Sequence, residues 1–241
     1  VLTTTLDWSD YTTSTQFPPA LDGSSAAVIT EGGVQVSFTV DADADGDGND
    51  TRVTGSTGET VAGVRGGLTD YFQMFSNGAS NSAPTIDTQT YQIDFDTVVN
   101  NLTFTLSDID SSLPQFQDQL QIQFFNGGTA VDLTAGKVTL VDAWDGVSAS
   151  GTTTFNDDTN TFLARGGQNV GRGSNLGNAT IALTSAVDRI VITYSPVPAA
   201  GDPSGNQAVG IHDMSWQADP NAVNDSIQTN EGTSVSQAAS G

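Results

Sequence analysis

Apolar and polar residues alternate along several short segments of this chain, and a two-residue period is the pattern of a half-buried β-strand. The clearest segments are residues 34–40, 91–95, 102–106, 120–125, 179–183 and 189–194. Turn signals flank two of them, with Glu31-Gly-Gly33 before residues 34–40 and Asn126-Gly127 after residues 120–125. No segment sustains the helical period of about 3.6 residues, so the pattern predicts an all-β protein.

The same strands predict the domain organisation. We expect residues 1–219 to form one two-sheet antiparallel β-sandwich, in which the segments 179–183 and 189–194 pair with each other. Residues 211–216 are the last predicted core strand, and they place Trp216 in the core. A polar segment at 220–241 follows as an extended C-terminal tail, because it is too short and too polar to form a core of its own.

One predicted strand ends in an acidic sequence. Asp108 and Asp110 follow this strand with the apolar Ile109 between them, and Asp118 precedes the next apolar run. Alternation places the first two carboxylates opposite Ile109, where they must be solvated, hydrogen-bonded or neutralised by a cation. We therefore predict that the three carboxylates form a structural calcium site, with Asp213 as a candidate further ligand. The alternative is a set of aspartates that cap turns.

A second acidic run, DADADGDGND at residues 41–50, is also a candidate calcium loop. Carboxylates at alternate positions can converge on one ion, and the glycines permit the necessary turn. The candidate ligands are Asp41, Asp43, Asp45, Asp47 and Asp50. The run departs from the EF-hand pattern, because Arg52 occupies the position of the bidentate glutamate. A solvated acidic turn is the alternative interpretation.

The composition is strongly acidic, with 28 aspartates and glutamates, 6 lysines and arginines, and a net charge of -22. Charge of one sign disfavours nucleic acid and anionic membranes as partners, and no apolar run is long enough for membrane insertion. The chain has no cysteine and so no disulfides, which leaves metal ions as the obvious cross-links for stabilising an extracellular domain. Together with the many threonines, serines, asparagines and glycines, this predicts a bacterial protein that is secreted or displayed on the cell surface. Solubility in a salty medium is the competing explanation of the acidity.

Several motifs of the chain match a known module. They are Phe95-Asp96, the strand at 99–104, Ser107-Asp-Ile-Asp110, Asp118, the strand at 187–194 and Gly210-Ile-His-Asp213. In these motifs the chain resembles a jelly-roll-like β-sandwich module of bacterial secreted and large surface proteins. The resemblance implies an extracellular jelly roll with structural calcium, although such modules serve many functions. Residues 221–235 resemble the opening strand of the cadherin-like or immunoglobulin-like repeats in very large bacterial adhesins.

The sequence does not predict an enzyme. His212 is the only histidine, no nucleophile-elbow motif is present, and the three glutamates lie beside glycine-rich turns. Trp144 lies in the polar turn at 142–146 and is the aromatic residue best placed to stack on a sugar ring. A carbohydrate-binding module is therefore the alternative function.

The predicted function is that of a non-enzymatic extracellular structural or adhesive module that calcium stabilises. Its partners are further copies in a head-to-tail cell-surface fibre or the neighbouring domains of a large adhesin, with glycans as the alternative ligand. Short β-competent runs around Ile227 and Val235 are suited to adding a strand to the sheet edge of the next subunit. Docking of this tail on its own domain is the alternative.

Overall fold

The computed structural model describes residues 2–11, 26–41, 59–77, 88–112, 116–134, 137–141, 153–164, 170–198 and 206–218. Within these ranges the chain forms eighteen β-strands and one short 3-10 helix (Trp8–Asp10), and it contains no α-helix. None of the described residues belongs to a helix with the length and apolarity that crossing a membrane requires. The all-β prediction is confirmed.

The strands in chain order are β1 (Thr3–Leu6), β2 (Ala27–Glu31), β3 (Val34–Asp41), β4 (Glu59–Arg65), β5 (Leu68–Asn77), β6 (Gln89–Ser107), β7 (Ser111–Ser112), β8 (Phe116–Gln117), β9 (Gln119–Asn126), β10 (Thr129–Val131), β11 (Val138–Leu140), β12 (Thr153–Asn156), β13 (Thr161–Ala164), β14 (Ala179–Leu183), β15 (Val187–Tyr194), β16 (Val197–Pro198), β17 (Asn206–Ile211) and β18 (Met214–Ala218). Fifteen of them form one large antiparallel sheet that curls, and β16, β8 and β7 form a small second sheet. The principal order in the large sheet is β12-β13-β9-β15-β6-β17-β5-β4.

Strand β6 is the central element of the large sheet. Its residues alternate between buried and more exposed positions, and Tyr91, Ile93 and Leu106 are among the buried ones. The first half of β6 pairs with β3 and β15, whereas its second half pairs with β14, β17 and β18. The segments predicted at 91–95 and 102–106 are therefore one continuous strand.

The predicted pairing between the segments 179–183 and 189–194 is wrong. Strand β14 pairs with β11 and with the second half of β6, where Ala179 lies opposite Leu106. Strand β15 pairs with β9 and with the first half of β6. Alternation identifies each strand from its own residues, but the choice of partner depends on the long strand that both segments can reach.

The last predicted core strand, at 211–216, is interrupted in the structure. Strand β17 ends just before His212, and β18 begins just after Asp213. The backbone N–H of His212 donates to the carbonyl oxygen of Thr105 at 2.8 Å, which holds the interruption against β6. Trp216 on β18 is fully buried, as expected.

One continuous apolar core packs against the large sheet. The ring centroid of Trp8 lies 5.5 Å from those of Phe38 and Phe72, and the centroids of Phe95 and Trp216 are 5.4 Å apart. Each large apolar side chain that is fully buried contributes about 1.5–3 kcal/mol. This core holds in place the strand ends from which the acidic residues emerge.

Gly177 and Gly33 are a matched pair for testing how closely the loops pack. Both have a left-handed backbone, with φ of +77° for Gly177 and +82° for Gly33. A Cβ on Gly177 would lie 2.7 Å from the carbonyl oxygen of Ile109, whereas a Cβ on Gly33 would meet nothing within 4 Å. We expect Gly33→Ala to lower the free energy of unfolding by about 1–2 kcal/mol through backbone strain. Gly177→Ala should cost about 1–3 kcal/mol more through overpacking. Urea unfolding measures both losses, and equal losses would contradict the close packing.

Candidate functional site

Residues 107–111, which we call the acidic turn, follow the end of β6 and carry two of the predicted calcium ligands, Asp108 and Asp110. All five residues of the acidic turn are buried. The backbone of Asp108 is left-handed, with a φ of 66°. This conformation ends the strand, and burial no longer alternates beyond it. Ile109 joins the apolar core, while the two carboxylates beside it are also withdrawn from water.

Hydrogen bonds from three sides hold the backbone of the acidic turn. The N–H of Ile109 donates to the carbonyl oxygen of Gly177 at 3.2 Å, and the hydroxyl of Thr153 donates to the carbonyl oxygen of Ile109 at 3.1 Å. The N–H of Asp118 donates to the carbonyl oxygen of Asp110 at 3.0 Å. Because its buried backbone groups are paired in this way, the turn presents its side chains in a fixed arrangement.

Asp118 lies against the acidic turn from the segment that precedes β9. Its Oδ2 accepts a hydrogen bond from the N–H of Asp110 at 3.1 Å, and its Oδ1 accepts one from the hydroxyl of Tyr194 at 2.7 Å. Only 1% of Asp118 is exposed. The structure therefore brings Asp108, Asp110 and Asp118 together, and we call these three residues the acidic cluster.

Arg65, at the end of β4, is the buried cation beside the acidic cluster. Its Nη1 donates to Asp108 Oδ2 and, at 2.8 Å, to the carbonyl oxygen of Ala208. Its guanidinium also lies 5.3 Å from the ring centroid of Tyr71. Sequence analysis missed Arg65, because no local signal connects it with a carboxylate 43 positions further along the chain.

Each partner of this ion pair retains one buried atom without a hydrogen bond. These atoms are Arg65 Nε and Asp108 Oδ1. A buried polar atom that lacks a partner costs about 1–3 kcal/mol, and more when it is charged. A proton or a cation at Asp108 Oδ1 would remove this cost.

Burial raises the pKa of all three carboxyl groups of the acidic cluster. Burial, and after it the charge of Asp108, raises the pKa of Asp110 from 3.8 to about 7. A hydrogen bond of 2.5 Å from the N–H of Val170 to Asp110 Oδ2 acts in the opposite direction and lowers this pKa. Burial and then the charge of Asp110 raise the pKa of Asp118 well above 3.8. Burial also raises the pKa of Asp108, against the opposing charge of Arg65. At neutral pH, therefore, Asp110 favours a bound proton or a bound cation over a bare ionised carboxylate.

Calcium takes the kind of oxygen ligand that the acidic cluster carries. No three acidic or histidine side chains among the described residues are already arranged around a metal position. Calcium, however, takes 6–8 oxygen ligands and accepts backbone carbonyls and waters among them. Asp108, Asp110 and Asp118 are the side chains that would hold the ion, and Asp108 Oδ1 is the oxygen that has no other partner.

The other predicted site residues lie elsewhere. Asp213 is exposed, and its Oδ1 accepts a hydrogen bond from the N–H of Trp8 at 3.1 Å, so the structure does not bring it to the acidic cluster. Asp41 is exposed at the end of β3. The remaining predicted positions lie outside the described residues, namely Asp43, Asp45, Asp47, Asp50, Trp144, Ile227 and Val235.

His212 forms a buried hydrogen-bonded pair with Ser107. Their Nε2 and Oγ atoms are 2.8 Å apart, and His212 Nδ1 lies 3.1 Å from the carbonyl oxygen of Asp70. Because that carbonyl can only accept, Nδ1 carries the proton and Nε2 accepts from the serine hydroxyl. Burial also lowers the pKa of His212. Ser107 is 0% exposed, and a Cβ on Gly66 would lie only 2.5 Å from its Cβ. The pair stabilises the end of β6, and the hydroxyl of Ser107 is not accessible to solvent.

A cavity of about 470 Å³, which we call the polar cavity, opens beside the acidic turn. Its polar wall is formed by Arg65, Arg172, Asp108, Asp110, Gln73 and Gln207. Phe75 and Phe116 supply apolar surface to the same wall. Sequence analysis did not identify this cavity, because its wall comes from four separate parts of the chain.

Comparisons of this chain with protein families, with curated proteins and with solved structures found no match. The functional interpretation therefore rests on the acidic cluster and the polar cavity.

Proposed function

We propose that this chain is a non-enzymatic extracellular structural or adhesive module that calcium stabilises at the acidic cluster. In this role it is a subunit of a head-to-tail cell-surface fibre or one domain of a large adhesin. The observation that carries the calcium assignment is the burial of three carboxyl groups, among whose oxygens Asp108 Oδ1 is buried without a hydrogen-bond partner.

The charges of the acidic cluster support a divalent ion. When all three aspartates are ionised, Arg65 balances one of them, and calcium would balance the other two. Calcium also prefers carboxylate oxygens over other ligand types. The ion would join the end of β6 to the segment before β9, which is the role that disulfides have in many extracellular domains. This chain has no cysteine to form them.

We further propose that the large sheet is arranged as a jelly-roll-like two-sheet sandwich over residues 1–219. Two features support this arrangement. Strand β6 changes its partners halfway along its length, and the buried apolar side chains form one cluster. The net charge of -22 and the many threonines, serines, asparagines and glycines support an extracellular location.

A carbohydrate-binding module is the second candidate function. Trp144, the stacking residue expected from the sequence, lies outside the described residues. The polar cavity favours this function, because its size and its mixed polar and apolar wall suit a small polar ligand.

Deletion of residues 220–241 tests the assembly role. Within the described residues, β1, β2, β4 and β12 each pair with a single neighbour, so each offers an edge to which a strand can be added. We expect the full chain to form elongated particles that grow with concentration, and the shortened chain to be monomeric, because a non-closing contact between subunits builds a filament. Small-angle scattering measures the particle size.

Point variants of the tail make this test specific. Ile227→Asp and Val235→Asp should disperse the particles, because each places a charge where the added strand would be buried. The neighbouring changes Gln228→Asp and Ser236→Asp add the same charge on the opposite face of the strand and should leave assembly intact. Assembly that survives the deletion, or a full chain that is strictly monomeric, would refute strand exchange.

A further inference from the structure

We infer that the polar cavity binds a neutral hexose unit of a glycan. This inference rests on carbohydrate binding as the second candidate function and assigns it a site other than Trp144. It does not depend on the assembly of subunits.

The dimensions of the polar cavity suit such a ligand. Its volume is about 470 Å³. Clefts that enclose small molecules have volumes of about 300–1,000 Å³. The cavity is therefore large enough for a single sugar ring with its hydroxyl groups, and it is open on one side, where the rest of a glycan can extend into solvent.

Two polar groups of the wall are held in place before any ligand binds. Arg65 is fixed by its ion pair with Asp108 and by a hydrogen bond of 2.8 Å to the carbonyl oxygen of Ala208. Asp110 is fixed by a hydrogen bond of 2.5 Å from the N–H of Val170. A ligand therefore loses little affinity to the ordering of these side chains.

The chemistry of the wall indicates a neutral polyhydroxylated ligand. Its two arginines only donate hydrogen bonds, the carboxyl oxygens of its two aspartates accept them, and its two glutamines do both. Sugar hydroxyls donate and accept, so one ring can satisfy all three kinds of group.

The apolar part of the wall fits the remaining surface of a sugar. Phe75 and Phe116 both line the polar cavity, and Phe116 is 9% exposed. Aromatic rings provide an apolar surface on which the C–H face of a hexose can pack. The combination of fixed polar groups with aromatic surface favours a hexose over a small inorganic ion.

Saturation-transfer NMR on the full chain tests the inference, with the methyl α-glycosides of glucose, galactose and mannose as probes. We expect at least one glycoside to receive saturation and to bind with a millimolar or lower Kd. Gln207→Ala and Arg172→Ala should each weaken binding about tenfold, because each removes hydrogen bonds at the wall. Arg172 is exposed, so its replacement does not disturb the core. Gln123→Ala and Arg189→Ala are matched controls on exposed positions of β9 and β15 and should leave the Kd unchanged.

Three results would overturn the inference. They are the absence of saturation transfer to all three glycosides, a Kd that neither Gln207→Ala nor Arg172→Ala changes, and tighter binding of the zwitterion glycine betaine than of any glycoside. Scattering on the same samples separates this proposal from the structural role. If the particles assemble normally but bind no glycoside, the sugar site is refuted and the structural role is not.

Discussion

Calcium should raise the free energy of unfolding by about 3–4 kcal/mol near pH 8, at about 100–1,000 times its Kd, and by much less near pH 5. Calcium binds ionised carboxylates, so any bound proton must leave first. Burial raises the pKa of Asp110 to about 7, and that of Asp118 well above its usual 3.8. Asp110 therefore holds a proton near pH 5, which competes with the ion there, and the raised pKa of Asp118 acts in the same direction.

Without calcium, the protein should lose stability as the pH rises. The folded protein holds protons on Asp110 and Asp118 that the unfolded chain has released, because their pKa values are raised above 3.8. For Asp110, this stabilisation is complete below about pH 4 and is lost as the pH rises through about 7. For Asp110 alone, the change in pKa from 3.8 to about 7 corresponds to roughly 4 kcal/mol.

Urea unfolding across this pH range, in chelator and in calcium, measures both effects. Asp110→Asn keeps an acceptor for the N–H of Val170 but carries no charge, so it should reduce both the pH slope and the calcium response. Asp158→Asn makes the same change in the exposed turn between β12 and β13 and should alter neither. Stability that is indifferent to calcium and chelator near pH 8 would contradict the calcium assignment.

Arg65→Met should lower the free energy of unfolding by about 3–5 kcal/mol near pH 7, because it leaves the carboxylate of Asp108 buried without its counter-ion. The Nη1 of Arg65 also bonds to the carbonyl oxygen of Ala208, which the variant would leave without this donor. Replacing both partners, in Arg65→Met with Asp108→Leu, should recover part of the loss, since an apolar pair carries no desolvation penalty. Chemical denaturation of the two variants and the parent protein gives both differences.

Arg189→Met is the matched control for this prediction. Arg189 Nε donates to Asp94 Oδ1 at 2.5 Å, but the two side chains are 46% and 26% exposed. Ion pairs that water reaches contribute about 0–1 kcal/mol, so the control should cost no more than that. Similar losses in Arg65→Met and Arg189→Met would show that the buried pair has no special role.

The positions of the strands could be predicted from the sequence because the signal is local. The alternating segments at 34–40 and 120–125 are strands β3 and β9, and the Asn126-Gly127 signal lies at the turn between β9 and β10. The pairing of the strands could not be predicted in the same way. It depends on β6, which offers different neighbours to β14 and β15 at positions far apart in the sequence.

The sequence by itself determined the strand content and singled out Asp108, Asp110 and Asp118, because both follow from a few consecutive residues. Only the tertiary structure decided that these carboxyl groups are buried. It also supplied Arg65 and Tyr194, which lie 43 and 76 positions away from the aspartates they contact. The physical reason is that burial, and with it the pKa and the pairing of each charge, depends on surfaces that distant strands bring together only when the sheet curls.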